Sequence, residues 1–128
     1  MKITRINTEG APEAIGPYSQ AIKADQLIIT SGQIALDPVK GVIVAEGIEE
    51  QTEQVLKNLK AVLSASGADF SDVVETLIFC TDLKEFNKIN RVYEVIMDGH
   101  KPARSTVEVS SLPKNAKIEI RMLAISRE

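Results

Sequence analysis

The sequence predicts an α+β domain, a sheet with two helices packed against one of its faces. Three observations carry that expectation. Residues 48–66 and 83–97 repeat apolar side chains at three- and four-residue spacing, as amphipathic helices do. The segments around them are short, rich in β-branched residues, and either alternate or run apolar, as strands do. The length of 128 residues, 44% hydrophobic and 26% charged, suits one globular domain over residues 1–128.

The elements follow in order. Residues 2–6, where Ile3 and Ile6 bracket charges, read as a short strand. Residues 9–18 hold Gly10, Pro12, Gly16 and Pro17 and read as a loop. Residues 19–23 and 26–33 read as strands, with Ala24-Asp25 as the break of a hairpin. Leu27-Ile28-Ile29 is apolar throughout, which predicts burial on both faces, and Thr30-Ser31-Gly32-Gln33 interrupts the strand with small polar residues. In helix 48–66, Ile48, Thr52, Val55, Leu59 and Val62 form one stripe, and Gly67 stands where a C′ glycine ends a helix. Residues 72–80 are a strand. Asp82-x-x-Glu85 has the form of a capping box opening helix 83–97, whose stripe is Phe86, Ile89, Tyr93 and Ile96. Strands at 103–109 and 117–125 complete the order β-β-β-α-β-α-β-β. Two helices cover only one face of such a sheet, so the other face is expected to be hidden in an oligomer.

Composition excludes several functions. Fifteen Lys+Arg against 18 Asp+Glu give a net charge of −3, and 3 Phe, 2 Tyr and no Trp leave few stacking platforms, which argues against a nucleic-acid partner. With Cys80 and His100 alone of their kinds, neither an intrachain disulfide nor a Cys/His zinc site is expected. No apolar run reaches the length of about 18 residues that spans a membrane, and no signal-like run follows Met1-Lys2-Ile3-Thr4-Arg5, so the cytoplasm is the expected compartment. The 7 glycines are scattered and make no phosphate-binding loop, and no cofactor is expected.

A few residues could carry chemistry. In the last strand Ile118, Ile120, Met122 and Ala124 share one face, while Lys117, Glu119 and Arg121 share the other. Glu119 reads first as a solvated residue flanked by two cations. Arg104, Thr106 and Glu108 share a face of the strand at 103–109. Arg104 is either half of a surface ion pair or a fork for an anionic ligand, since a guanidinium grips a carboxylate through two parallel hydrogen bonds. Asn90 lies on the apolar stripe of its helix, where a buried amide needs partners; it ties helix to sheet or reaches a pocket. Tyr18, at the end of the loop, caps the core or serves a ligand. Ser31-Gly32 ends a strand, and the Gly32 N–H could receive an anion. Cys80 reads as a small core residue rather than a nucleophile, and His100 as a solvated loop residue. Composition and spacing reach no further than an oligomeric α+β domain that binds a small anion.

Several segments together resemble the Rid family (YjgF/RidA, reactive intermediate or imine deaminases). They are Ala14-Ile15-Gly16-Pro17-Tyr18-Ser19-Gln20, Ile29-Thr30-Ser31-Gly32-Gln33-Ile34, Gln54-x-x-x-Asn58-Leu59-Lys60-Ala61-Val62-Leu63, Pro102-Ala103-Arg104-Ser105-x-Val107-Glu108-Val109, Leu112-Pro113-Lys114 and Lys117-Ile118-Glu119-Ile120, in the family's order from about residue 10 to the end. The resemblance implies a chorismate-mutase-like α+β fold, a six-stranded mixed sheet with two helices on one face, in a homotrimer whose sheets form a central barrel. It implies ligand sites in clefts between protomers and hydrolysis of 2-imino acids, such as 2-iminobutanoate and 2-iminopropanoate, to 2-oxo acids and ammonia. By matching motif, Arg104 stands at the carboxylate-binding arginine and Glu119 at the carboxylate that positions or activates water. Tyr18, Ser31, Gly32 and Asn90 match positions lining the cleft. Thr106 stands where many members carry cysteine, and Arg121 where many carry a second glutamate. Two alternatives stay open: a non-catalytic small-acid-binding regulator using the same cleft, and an endoribonuclease or translation inhibitor.

Overall fold

A computed structural model describes residues 1–127; Glu128, the last residue of the expected domain, lies outside the described residues. Six strands, β1 (Ile3–Ile6), β2 (Ala21–Ala24), β3 (Leu27–Thr30), β4 (Val73–Cys80), β5 (Ala103–Glu108) and β6 (Ile118–Ile125), form one sheet in the order β1-β2-β3-β6-β4-β5. Only β4 and β5 pair in parallel, so the sheet is mixed. A parallel pair needs a crossover, and α2 (Phe86–Met97) supplies it between β4 and β5. Helix α1 (Ile48–Ala65) makes the longer connection from β3 to β4, leaving a slot that β6 fills.

The core lies between this sheet and the two helices. Ile118, Ile120, Met122 and Ala124 of β6 are fully buried there with Val55, Leu59 and Leu63 of α1 and Ile89 of α2. Each large apolar side chain so buried contributes about 1.5–3 kcal/mol. Alternation turns Glu119, Arg121 and Leu123 to the other face, which neither helix covers. Leu77, Phe79 and Val107 share that uncovered face by register.

Buried amides fasten the segments between elements. Asn58 of α1 is fully buried and donates from Nδ2 to the carbonyls of Ile34 (3.3 Å) and Leu36 (3.0 Å), while its Oδ1 accepts from Gln54 (2.9 Å). Gln51 accepts from the Lys117 N–H at 2.9 Å and donates to the Ala45 carbonyl at 2.9 Å. The segment leading out of β3 and the entry to β6 are thereby both pinned to α1.

The expected element order holds, and Gly67 follows the Ser66 C-cap of α1 with a left-handed φ of 84°. Four local expectations need correction. The hairpin turn is Asp25-Gln26, one residue later than Ala24-Asp25, because Asp25 takes the left-handed conformation (φ 52°) and Ala24 stays in β2. Strand β3 stops at Thr30, and Gln33 makes only an isolated bridge to Ile120. The Leu27-Ile28-Ile29 run is not buried on both faces of one copy: Ile28 is 0% exposed and Ile29 36%. Asp82 does cap, but it accepts from the Lys84 N–H of a 3-10 turn, Leu83–Glu85, so α2 begins at Phe86; the reciprocal box forms at Asp69 and Asp72.

Replacing Asn58 by Ala takes the side-chain donor from the Leu36 carbonyl and one of two donors from the Ile34 carbonyl, which keeps the Leu36 N–H at 2.8 Å. Urea unfolding is expected to show a loss of about 1–3 kcal/mol; an unchanged midpoint would mean that the amide fastens nothing.

Candidate functional site

Two groups of polar residues stand out, one on each side of the sheet. The first surrounds Glu119. Its side chain leaves β6 away from the helices and lies against Gly32, where a built Cβ would come within 2.6 Å of Glu119 Oε2. Only glycine admits the carboxyl group in that place. A cavity of about 270 Å³ opens beside them, walled by Pro12, Ile15, Tyr18, Ser31, Leu36 and Pro113.

The loop that forms one wall is tied down by Gln20, which is 2% exposed. Its amide accepts from the Thr8 N–H (2.7 Å) and donates to the carbonyls of Thr8 (3.0 Å) and Pro12 (2.8 Å). The Ser31 hydroxyl donates to the Ser19 carbonyl at 2.6 Å, and the Ser31 N–H to the Gln20 carbonyl at 2.9 Å. Ser31 is thus spoken for as a donor and keeps only acceptor capacity. Tyr18 is half exposed, its hydroxyl 3.4 Å from the Ile15 N–H. Among the described residues the Gly32 N–H has no hydrogen-bond acceptor and the Glu119 carboxyl has neither donor nor ion-pair partner. Burial therefore acts alone and pushes the Glu119 carboxyl above the ordinary carboxylate range. Neither Lys117 nor Arg121 pairs with it, so the flanking cations of the sequence do not decide its state.

The second group surrounds Arg104 on β5. Arg104 lies opposite Thr76 in the parallel ladder, on the helix side of the sheet. Its guanidinium carbon sits 5.0 Å from the centre of the Tyr93 ring and 5.6 Å from that of Phe86, and Nη2 donates to Asn90 Oδ1 at 2.7 Å. Rings and amide come from one face of α2. No carboxylate pairs with this cation among the described residues, so the surface ion pair allowed by the sequence does not form. Asn90 ties helix to sheet and does so through Arg104. Thr106, two residues further along the same face, has a buried hydroxyl without a partner. A cavity of about 360 Å³ borders Asn90, Tyr93, His100, Lys101 and Arg104.

The two cavities share no lining residue, and Arg104 and Glu119 occupy opposite faces of the sheet. A single copy therefore groups Tyr18, Ser31, Gly32 and Glu119 on one side and Asn90, Arg104 and Thr106 on the other. Cys80 is buried in the core with its thiol pushed up by burial, as its apolar strand foretold. His100 departs from the solvated reading: its Nε2 lies 2.7 Å from the Val73 carbonyl, half-buried. The sequence reading missed the aromatic housing of Arg104. Phe86 and Tyr93 belong to the apolar stripe of the helix, and Asn90, an amide on that stripe, is the available signal.

Chemically, the first group offers a carboxyl whose pKa burial raises and, among the described residues, a free backbone donor. The second offers a cation fixed by neutral groups, able to take a carboxylate in two parallel hydrogen bonds. No group of three or more His, Cys, Asp or Glu residues is disposed to hold a metal among the described residues. No helix among them is long and apolar enough to cross a membrane.

A family model described as endoribonuclease L-PSP matches residues 8–126. The chain is 52% identical over 119 residues to Reactive Intermediate Deaminase A, chloroplastic, of Arabidopsis thaliana, covering 93% of this chain and 64% of that protein. It thus spans just under two thirds of the plant relative's length. It is 44% identical over 120 residues to the 2-iminobutanoate/2-iminopropanoate deaminase of Homo sapiens, covering 94% of this chain and 88% of that one. The crystal structure of E. coli TdcF with bound serine superimposes with a TM-score of 0.91 at 40% identity, over 95% of this chain and 98% of that one.

Gly32→Ala tests how the carboxyl is held. Gly32 has no left-handed φ to lose, so the variant is expected to fold, with the Glu119 side chain displaced toward solvent. Carbon-detected titration should then show the Glu119 pKa falling toward the ordinary carboxylate value. An unaltered titration would mean that contact with Gly32 does not bury the carboxyl.

Proposed function

The chain belongs to the endoribonuclease L-PSP family, also called the YjgF/Rid family, and on that footing we propose that it is an imine deaminase. The substrates are 2-imino acids and their enamine tautomers, 2-iminobutanoate and 2-iminopropanoate among them, and the products are 2-oxo acids and ammonia. The observation that carries this reading is the Arg104 guanidinium, boxed by two rings and an amide and left without a counter-ion. Relatives named Reactive Intermediate Deaminase A and 2-iminobutanoate/2-iminopropanoate deaminase support it. So does the serine bound to E. coli TdcF, a ligand with the same carboxylate.

In the proposed mechanism Arg104 grips the substrate carboxylate, worth about 1.5–3 kcal/mol for charge-assisted bonds. Asn90 fixes one edge of the fork, and the Gly32 N–H and the Thr106 hydroxyl add hydrogen bonds at the carboxylate. Tyr18 and Ser31 line the cleft. Water adds to the electrophilic imine carbon. Glu119 takes a proton from that water and delivers it to the nitrogen, giving a carbinolamine; it then takes the hydroxyl proton and passes it to the same nitrogen, so that the C–N bond breaks, ammonia leaves and the carbonyl forms. General acid–base help of this kind is worth roughly 10²–10⁴-fold. No covalent nucleophile or cofactor takes part, and residues 1–128 act as one domain.

One copy keeps the two groups apart, so the site is proposed to form between copies of a homotrimer. The uncovered sheet faces meet around a central barrel, and the Glu119 side of one copy closes over the Arg104 side of the next. The exposed apolar face supports this, with Ile29 at 36%, Val107 at 44% and Ile125 at 43% exposure. The family's description favours a second reading, RNA cleavage, against which stands the net charge of −3.

The assay supplies 2-iminobutanoate from a threonine dehydratase and traps the remaining imine with semicarbazide. The protein should accelerate oxo-acid release, Arg104→Ala should abolish that acceleration, and Glu119→Gln should lower kcat by about 10²–10⁴-fold. Oxo-acid binding without hydrolysis would leave a non-catalytic binder. RNA cleavage lost in Arg104→Ala would establish the second reading. Co-refolding the two inactive variants in equal amounts should recover about a quarter of wild-type activity, because one interface in four pairs an intact arginine with an intact glutamate. No recovery would place both groups in one copy. Arg104→Ala should also raise the Glu119 pKa by removing the neighbouring copy's cation; within one copy it would not move.

A further inference from the structure

We propose that Tyr93 is a positioning residue: its hydrogen bond to Thr76 fixes the ring on which the Arg104 guanidinium lies and so aims that cation at the substrate. The inference takes its substrate from the imine-deaminase reading, and its mechanism rests on geometry within one copy. Tyr93 is 7% exposed and Thr76 fully buried, and the Tyr93 hydroxyl donates to Thr76 Oγ1 at 2.9 Å. Thr76 is the residue that faces Arg104 across the β4–β5 ladder. The chain thus returns from the arginine's neighbour on the sheet, through two hydroxyls, to the ring beneath the arginine's own head group.

Packing alone does not call for this pair. Phe and Val would fill the same volumes, and two buried hydroxyls are tolerated only because each satisfies the other. What the bond adds is direction. Burial pushes the Tyr93 hydroxyl above its ordinary value, so it remains a neutral donor. An arginine side chain is long and rotamer-rich, and the Asn90 bond holds only one of its nitrogens. Phe86, the other ring, is 37% exposed at the first residue of α2. Tyr93 is the wall anchored at both ends.

The test uses Tyr93→Phe, Thr76→Val and the double variant of the full-length protein. Each single change breaks the bond and leaves one hydroxyl orphaned; the double change leaves none. Thermal unfolding should therefore be impaired in the singles and recover in the double. KM for 2-iminobutanoate should rise about tenfold in all three, with kcat within about twofold of wild type, as expected when ground-state and transition-state binding weaken together. A double variant that regains both stability and KM would overturn the proposal and leave the pair purely structural. Nitrogen-15 relaxation of the Arg104 Nε–H reads the same point without turnover. The guanidinium should be rigid in wild type and mobile in the double variant, and wild-type rigidity in the double would overturn the proposal. If wild type hydrolyses no imine, the deaminase reading falls, and the relaxation measurement still decides whether Tyr93 positions Arg104.

Discussion

The period-two alternation of β6 is the constraint on which the rest depends. This strand lies between β3 and β4, so its inward set closes the core against both helices. The same alternation sends Glu119 to the opposite face. Slipping the register by one residue would bury the charged side chains of Glu119 and Arg121 and expose four apolar side chains. Nothing of that size is tolerated in a domain whose net stability is of order 5–15 kcal/mol. The placement of Glu119 is therefore enforced by the core, not by local contacts. Among the described residues its carboxyl has no hydrogen-bond partner.

The two polar groups share a design that differs from ordinary surface chemistry. Exposed ion pairs on this protein, such as Lys57 with Glu53 at 3.9 Å, satisfy each other and contribute little. Arg104 is satisfied instead by ring faces and an amide, which stabilise a cation without neutralising it. Glu119 lies half-buried against Gly32, and burial raises its pKa without supplying a counter-charge. Among the described residues neither group has a counter-charge of its own.

How much of this was legible in the sequence depends on the range of the interaction. Features set within a few residues were readable: the alternation of Ile118 to Ala124, the stripe of α1, the glycine ending it, the burial of Cys80. Features set by a shift of one residue were less so. Asp25 rather than Ala24 takes the turn because of a left-handed preference that competes with strand pairing. Asp82 caps a 3-10 turn because the chain must bend once more before α2. Contacts between distant elements left almost no trace. Arg104 meets Tyr93 because β5 returns beside β4 under α2, and Gly32 meets Glu119 because β6 enters beside β3. Local spacing carries no information on either meeting. The family resemblance supplied those residues with roles before the topology supplied them with neighbours.

Opposite faces also solve a problem that one-sided placement would create. A guanidinium and a carboxylate within reach of each other in the same chain would pair during folding. At about 4 Å in a half-buried site that attraction is on the order of 4 kcal/mol at an effective dielectric of 20, comparable to what a small carboxylate ligand gains from the arginine. The pair would compete with the substrate for its own binding group and pull the carboxyl well into its ionised form. With the sheet between them, neither can reach the other, and the arginine must be stabilised by neutral groups. Assembly of copies, as proposed, then brings a cation and a carboxyl to the two ends of a cleft rather than into contact. On the proposed reading, the separation across the sheet keeps the arginine free to bind an acid and the glutamate free to exchange a proton.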